Sequence, residues 1–397
     1  MDAINTYLKN SRVFSDDQDE VVSQAFEQLC DFIIYLDKNR QKIDVRIIRS
    51  NLLWHEKIKE TESKYTIIWD TGYWEFFEDF LSAFCYINDY YRNYIESEKT
   101  KEDASNIALL LDKRLVAFAS DVFFYLAKRH YQCNNRAAMI FAKESVKYGF
   151  HVNNYPKEFN ENILNIIKIA KIYILTHELE HILSELCPEV RNNAGESFKY
   201  ILSNIVQTNS FDFSESEIDL LKSYISGGYA GIFEETYCDT HAFFEVFEFI
   251  AWLQHSSEKE MFGTYPDYTL TIKLLRIFDT FCKGLFSITN EFIRKKKYNK
   301  SDRVEDKLID HNNNYLLRDT LCEKIELFQI LARANKYGME VSLDDFDISD
   351  SLIGYDIFLG KHFNRLLHDA IKLIDNENYS RYNTLNSKEE IIDFLFD

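Results

Sequence analysis

A long and heavily apolar stretch, residues 160–186, is the feature that most constrains the fold of this chain. Pro156 precedes it and Cys187–Pro188 follows it, and proline cannot continue an α-helix, so we expect one long helix between them. Its apolar residues cover most of the helix circumference, which is typical of a helix buried on nearly every side. Lys168, Lys171 and His177 interrupt it, so it is too broken to span a membrane.

The end of this helix carries His177–Glu178–Leu179–Glu180–His181. Residues four apart share one helical face, so both imidazoles can reach one metal ion, with Glu178 beside an open coordination position as general base. The pattern indicates metal-assisted hydrolysis. The alternative is two histidines on an ordinary helix, but polar groups in a protein interior are costly unless paired or metal-bound. We expect Glu180 and Glu185 to form a solvated stripe near the helix end.

A catalytic zinc site needs a third protein ligand and keeps one position for water. Ser184 and Cys187 occupy the places where the extended HExxHxxGxxH pattern has glycine and histidine, so the ligand must come from elsewhere. After the glycine-rich turn at 227–231, a second predicted helix carries Glu235 and Asp239 four residues apart. One carboxylate could bind zinc and the other could hold the free ring nitrogen of a liganding histidine.

HExxH followed much later by ExxxD resembles the gluzincin class of zinc metallopeptidases. That resemblance implies that His177, His181 and Glu235 bind zinc, that Glu178 is the general base, and that Asp239 orients a histidine. The alternatives for the third ligand are the following three residues: Glu234, Cys238 and His241. Glu234 is the nearest rival, but Cys238, four residues further on, would orient a histidine less well than a carboxylate. Cys238 and His241 are better explained as a small buried residue and a helix-surface histidine.

The fold class that follows is mainly α (α+β), a zincin-like catalytic core with a small sheet and the long HExxH helix, embedded in additional helices. We expect a helix over 16–40 capped by Ser15, and β-branched runs at 44–49 and 64–69 that form a two-stranded unit joined by the polar stretch 57–63. No clear edge strand precedes the active helix. Residues 137–141 could serve, but they fit a helix equally well.

The predicted organisation has an N-terminal helical segment (1–43), a zincin-like catalytic domain (44–293), a charged linker (294–310) and a C-terminal helical subdomain (311–397). Residues 73–94, 103–131 and 265–296 are expected to be helical.

Composition narrows the class of partner. A net charge of −19 disfavours binding to nucleic acid or to an anionic membrane. The start of the sequence lacks the basic and apolar regions of an export signal, and no later run reaches transmembrane length. The 7 cysteines are scattered without CxxC spacing, which favours reduced thiols and a cytoplasmic location.

The leading hypothesis is therefore a cytoplasmic metallopeptidase that holds a single zinc ion per chain and acts on a protein or peptide. The alternatives are a non-catalytic helical interaction module that retains the zincin fold, and a metal-dependent hydrolase of a non-peptide amide or ester. Sequence does not choose among the candidate donors to the substrate oxyanion, which are Tyr229, Tyr237, His241, His311, His362 and His368. It does not predict the oligomeric state.

Overall fold

The computed structural model describes residues 14–50, 52–53, 55–96, 101–131, 135–148, 161–208, 213–226, 230–257, 260, 264–297, 304–339 and 372. Within these residues the protein is mainly helical with one small sheet of mixed direction, which confirms the coarse fold class. Among the described helices, none combines the length and apolar character needed to cross a membrane.

The sheet contains strands β1 (Phe14–Asp16), β2 (Ile43–Ser50), β3 (Glu56–Thr61) and β4 (Lys64–Asp70), in the order β1-β2-β4-β3. Strands β2 and β4 are parallel, whereas β3 pairs with β4 in an antiparallel hairpin. The prediction that residues 57–63 form a polar connection is therefore wrong, because most of them belong to strand β3. Only Ile58 of β3 is buried, and an edge strand of this kind has no apolar run that would reveal it.

The predicted helix over 16–40 is two helices, α1 (Glu20–Phe32) and α2 (Ile34–Asn39). Ser15 lies in β1 and is not the cap. The cap of α1 is Asp19, whose carboxylate accepts a hydrogen bond from the Val22 backbone N–H at 3.2 Å. This bond satisfies one of the N–H groups that a helix start leaves without a partner.

The remaining helices are α3 (Thr71–Glu96), α4 (Lys101–His130), α5 (Asn135–Lys147), α6 (Glu161–Leu186), α7 (Pro188–Thr208), α8 (Glu215–Ile225), α9 (Ala230–Leu253), α10 (Tyr265–Lys297) and α11 (Val304–Lys336). Helix α6 is the long apolar helix predicted from the sequence, and it ends before Cys187–Pro188 as expected. Residues 137–141 belong to α5 and form no strand.

Helix α6 lies at the centre of the fold. It packs against α1, α7, α9 and α10, and buried side chains on all its sides join the main hydrophobic core. From residue 170 to residue 184 no side chain of α6 is exposed, so the polar side chains of this part are held by close packing. Helices α6 and α9, the two that carry the candidate site, are in extensive contact.

Helices α10 and α11 both continue into the region 294–310 that was predicted as a linker, ending at Lys297 and beginning at Val304. Helix α11 packs against α10 and α9. Residues 304–336 therefore join the helices that carry the candidate site, and the four-part division of the chain stays a prediction.

Candidate metal centre

Helices α6 and α9 bring His177, His181 and Glu235 together around one point. The two histidine Nε2 atoms are 3.1 Å apart. Glu235 places Oε2 3.7 Å from His177 Nε2 and Oε1 3.4 Å from His181 Nε2. Tetrahedral zinc with bonds of about 2.0–2.1 Å to nitrogen and oxygen separates its ligand atoms by about 3.3 Å. These three residues could therefore hold one metal ion.

The other ring nitrogen of each histidine faces a carboxylate. Asp239 Oδ1 lies 3.0 Å from His177 Nδ1, and Glu234 Oε1 lies 3.4 Å from His181 Nδ1. Such contacts fix the orientation of a liganding imidazole and leave Nε2 for the metal. Cys238 Sγ also lies near the Nδ1 atom of His181, at 3.5 Å. The geometry therefore favours Glu235 over Glu234 and Cys238 as the third ligand.

Arg318 of α11 forms ion pairs with Asp239 and Glu235. Its Nη2 lies 3.2 Å from Asp239 Oδ2, and its Nη1 lies 3.8 Å from Glu235 Oε2. Burial alone would raise the pKa of Asp239, but Arg318 and His177 together hold it far below its usual range. Asp239 is therefore an ionised, fixed acceptor.

The charge of His177 follows from the same contacts. Burial lowers the pKa of this imidazole, but Asp239, with Glu178 and Glu235 nearby, outweighs that effect and raises it to about 9 in the metal-free chain. A metal ion must therefore displace a proton from His177 near neutral pH.

Behind the site, Asp239 belongs to a buried polar network. The Tyr173 hydroxyl donates to the Asp239 carbonyl oxygen at 3.2 Å and in turn accepts from Arg276 Nη2 at 3.2 Å. Arg276 forms a two-pronged ion pair with Glu326 of α11, and both side chains are buried. These contacts join Tyr173 of α6, Arg276 of α10 and Glu326 of α11, so the position of Asp239 is set by these three helices together.

A cavity of about 460 Å³ opens beside His177, His181 and Glu235. These three residues are called the metal group below, and the cavity is called the metal cavity. Glu178 lines it, and Glu56 and Lys57 of β3 form part of its wall. Burial raises the pKa of Glu56, and the nearby charge of Glu178 raises it further. The cavity is of the size that ligand sites have.

Strand β3 lies at one edge of the described sheet, next to the candidate site. Lys57 Nζ donates to Glu185 Oε1 at 2.7 Å and to the His181 carbonyl oxygen at 3.4 Å. Lys59 and the Tyr65 hydroxyl also bind Glu185. Glu185 is therefore paired with Lys57, Lys59 and Tyr65, although its side chain is still partly exposed to solvent. These contacts fix the sheet edge to the last turn of α6, beside the metal group.

The expectation that Glu180 is solvated is wrong. Glu180 is buried, and its Oε2 lies 3.2 Å from His241 Nδ1 on α9. Burial lowers the pKa of His241, but Glu180 raises it to about 9. Nothing in the local sequence shows that α9 covers this face of α6, so Glu180 is predicted from the sequence to be an ordinary acidic residue of a helix end.

The oxyanion donors proposed from the sequence do not lie in the metal cavity where the structure describes them. Tyr237 and His241 line a second cavity of about 320 Å³. Tyr229, His362 and His368 lie outside the described residues, as does the side chain of His311. The polar residues that share the wall of the metal cavity and that could not be named from the sequence are His55, Glu56, Lys57, Tyr73, Asp279 and Arg318. They come from several elements, and no motif near them marks them.

Comparisons with protein-family models, with curated proteins and with solved structures find no match to this chain.

Proposed function

We propose that this protein is a zinc-dependent metallopeptidase with a zincin-like core. One observation carries the proposal: His177, His181 and Glu235 converge on one point at ligand spacing, with Glu178 in the wall of the same cavity. Two imidazoles and one carboxylate are a donor set of catalytic zinc sites, and three protein ligands leave a coordination position open.

Zinc is the metal that suits these donors best, since imidazole nitrogen with a carboxylate in near-tetrahedral spacing matches its preferences. Zinc bound there would polarise a substrate carbonyl and make an attacking water more acidic. Asp239 and Glu234 hold the outer nitrogens of the two histidines, so both imidazoles present Nε2.

The proton transfers belong to Glu178. As general base it would accept a proton from the attacking water, and as general acid it would return that proton to the leaving nitrogen. Its position in the cavity wall, next to the metal group, supports this role.

The edge of the sheet supports a peptide as the substrate class. Strand β3 pairs with β4 on one side only in the described sheet, and its Glu56 and Lys57 reach the cavity. An extended peptide can add to such an edge through backbone hydrogen bonds, which recognise a chain without requiring one sequence.

A cytoplasmic location is part of the proposal. The described cysteines, which are Cys30, Cys85, Cys187, Cys238, Cys282 and Cys322, form no disulfide with one another. Free thiols in this number favour a reducing compartment.

The test is Glu178→Gln, which removes the ionisable group with little change of shape. Wild type, Glu178→Gln and the surface control Glu196→Gln are loaded with zinc and incubated with a peptide library, and new peptide termini are counted by mass spectrometry. We expect Glu178→Gln to keep its zinc and lose roughly 10²- to 10⁴-fold in cleavage rate, while Glu196→Gln matches wild type. Equal cleavage by Glu178→Gln, or no cleavage by zinc-loaded wild type, would overturn the proposal.

A further inference from the structure

A second cavity, of about 320 Å³, lies between α7, α9 and α11, and within the described residues it shares no lining residue with the metal cavity. Helix α11 packs against both α7 and α9. Helix α9 lines the cavity with Tyr237, His241 and Glu245, which are four residues apart and so share one face of the helix. Ligand sites have volumes of about 300–1,000 Å³, so this cavity has room for a small molecule.

Two ion pairs in the wall of this second cavity are complete. Arg333 of α11 donates to Glu248 Oε1 at 2.6 Å, and His241 Nδ1 lies 3.2 Å from Glu180 Oε2. A carboxylate therefore already balances each of the two cations. An anionic ligand would have to compete with these carboxylates, so the wall disfavours anions.

Glu245 is the carboxyl group that these two pairs leave over. It is half-buried, and among the described residues it has neither a hydrogen-bond partner nor an ion-pair partner. Its oxygen atoms are not among the unpartnered polar atoms that are buried completely, so a ligand in the cavity can reach them. Burial raises the pKa of Glu245 to about 7, against the opposite effect of His241 and Arg333. The ionised form of Glu245 therefore lacks a sufficient counter-charge.

Aromatic rings form another part of the same wall. Phe198 of α7 and Tyr237 of α9 meet edge to face, with ring centroids 5.7 Å apart, and both belong to a hydrophobic cluster separate from the main core. The Arg333 guanidinium lies 4.3 Å from the centre of the Phe244 ring, so one aromatic face of this wall already accepts a cation. Aromatic rings attract ammonium groups through their faces and also bury apolar groups.

We propose that the second cavity binds a small organic cation, an ammonium group on an aromatic or aliphatic body, with Glu245 as its counter-charge. The ammonium group pairs with the carboxylate that the fold leaves unpaired, and the apolar body packs against Phe198 and Tyr237. An opposite charge favours the ionised form of a carboxyl group, so binding releases the proton of Glu245. This site goes beyond the proposed metallopeptidase function and does not depend on zinc.

The test compares three probes of similar size and different charge, which are benzylamine (a cation), benzyl alcohol (neutral) and benzoate (an anion). NMR titrations of the full chain, with and without zinc, measure the dissociation constant of each probe. We expect benzylamine to bind at least about 10-fold more tightly than the other two, whether or not zinc is present. Glu245→Gln should weaken benzylamine binding about 10- to 100-fold, because a charged partner is lost, and should leave benzyl alcohol binding unchanged.

Glu56→Gln is the matched control. Glu56 is also a carboxyl group whose pKa is raised by burial, but it lines the metal cavity. We expect this variant to bind benzylamine as wild type does. Ile201→Trp fills the second cavity from α7 and keeps Glu245, so it should abolish benzylamine binding without any change of charge.

Wild-type protein gives a reading that does not depend on a variant folding. The ring resonances of Phe198 and Tyr237 should shift when benzylamine is added. Rings that do not shift, benzylamine that binds no more tightly than the other probes, or unchanged binding by Glu245→Gln would overturn the site. Loss of binding in Glu56→Gln would place the cation in the metal cavity and overturn it as well. None of these outcomes changes the proposed zinc site, which elemental analysis tests separately.

Discussion

At the scale of single residues, the two nitrogens of each imidazole separate binding from orientation. His177 directs Nε2 to the shared point and Nδ1 to Asp239, at 3.0 Å. Removing a metal ligand removes a bond to the ion. Removing the Asp239 carboxylate only makes the orientation of the His177 imidazole less fixed. The structure therefore predicts that a substitution at Glu235 weakens metal binding more than a substitution at Asp239. The spacing of the two residues alone does not predict this order.

We expect Glu235→Ala to abolish tight zinc binding and Asp239→Asn to lower the affinity for zinc roughly 10- to 100-fold. Competition titrations against a chelator of known affinity measure both. The opposite ranking would mean that the roles of Glu235 and Asp239 have been exchanged.

Arg318, which is mostly buried, forms an ion pair with the buried Asp239 at 3.2 Å. Arg318→Met leaves the Asp239 carboxylate without its main counter-charge, which should lower the free energy of unfolding of the metal-free protein by about 3 kcal/mol. Adding Asp239→Asn to this variant removes the uncompensated charge and should restore part of the loss. Urea unfolding of the single and double variants measures the coupling, and losses that simply add would show that the two residues are independent.

At the scale of elements, the pair formed by Glu180 and His241 joins the two helices that carry the site. Glu180 is on α6, one residue before His181, and His241 is on α9, six residues after Glu235. A charged pair between packed helices favours one register over its neighbours, as polar residues do in helix bundles. The contact therefore helps to align the carboxylate of α9 with the histidines of α6.

The contribution of the Glu180–His241 pair to the stability of the fold decreases as the pH rises. Glu180, and with it Glu245 and Glu248, raises the pKa of His241 in the fold from 6.5 to about 9, against the effect of burial. The stabilisation is therefore complete below about pH 6.5 and is lost as the pH rises through 9. We expect Glu180→Gln to destabilise the protein at pH 6 and to have a smaller effect at pH 9.5, measured by urea unfolding of metal-free protein. A cost that is the same at both pH values would contradict this.

The parts of the site that the sequence predicts are those in which helical spacing fixes the geometry. His177 and His181 share a face of α6 because they are four residues apart, and the same spacing places Glu235 and Asp239 together on α9. Arg318 and His55 could not be predicted, because they reach the site through packing between elements distant in sequence. The identity of β3 was hidden for a related reason, since its single buried residue gives no periodicity.

At the scale of the whole molecule, the site draws on α6, α9, α11 and the edge of the sheet. The proposed metal ligands include residues 177 and 235, which are distant in sequence, so an unfolded chain would hold them far apart. A ligand that binds only the folded state stabilises it by an amount set by its concentration relative to its dissociation constant. Metal binding should therefore stabilise the entire fold.

We expect free zinc at 100 times its dissociation constant to raise the free energy of unfolding by about 2.7 kcal/mol in wild type. Glu178→Gln should show the same increase, because Glu178 is proposed as a base and not a ligand. His177→Ala should show none. Thermal unfolding with and without zinc measures the difference, and an equal increase in His177→Ala would place the stabilising metal elsewhere.

The central claim is that one metal ion is held by residues of α6 and α9, and elemental analysis of the purified protein tests it most directly. Wild type supplied with zinc at neutral pH and then freed of loosely bound metal should retain about one zinc ion per chain, as expected for a site of three protein ligands. His177→Ala and Glu235→Ala should retain none. Wild type without any bound transition metal, or His177→Ala with a full complement, would contradict the account.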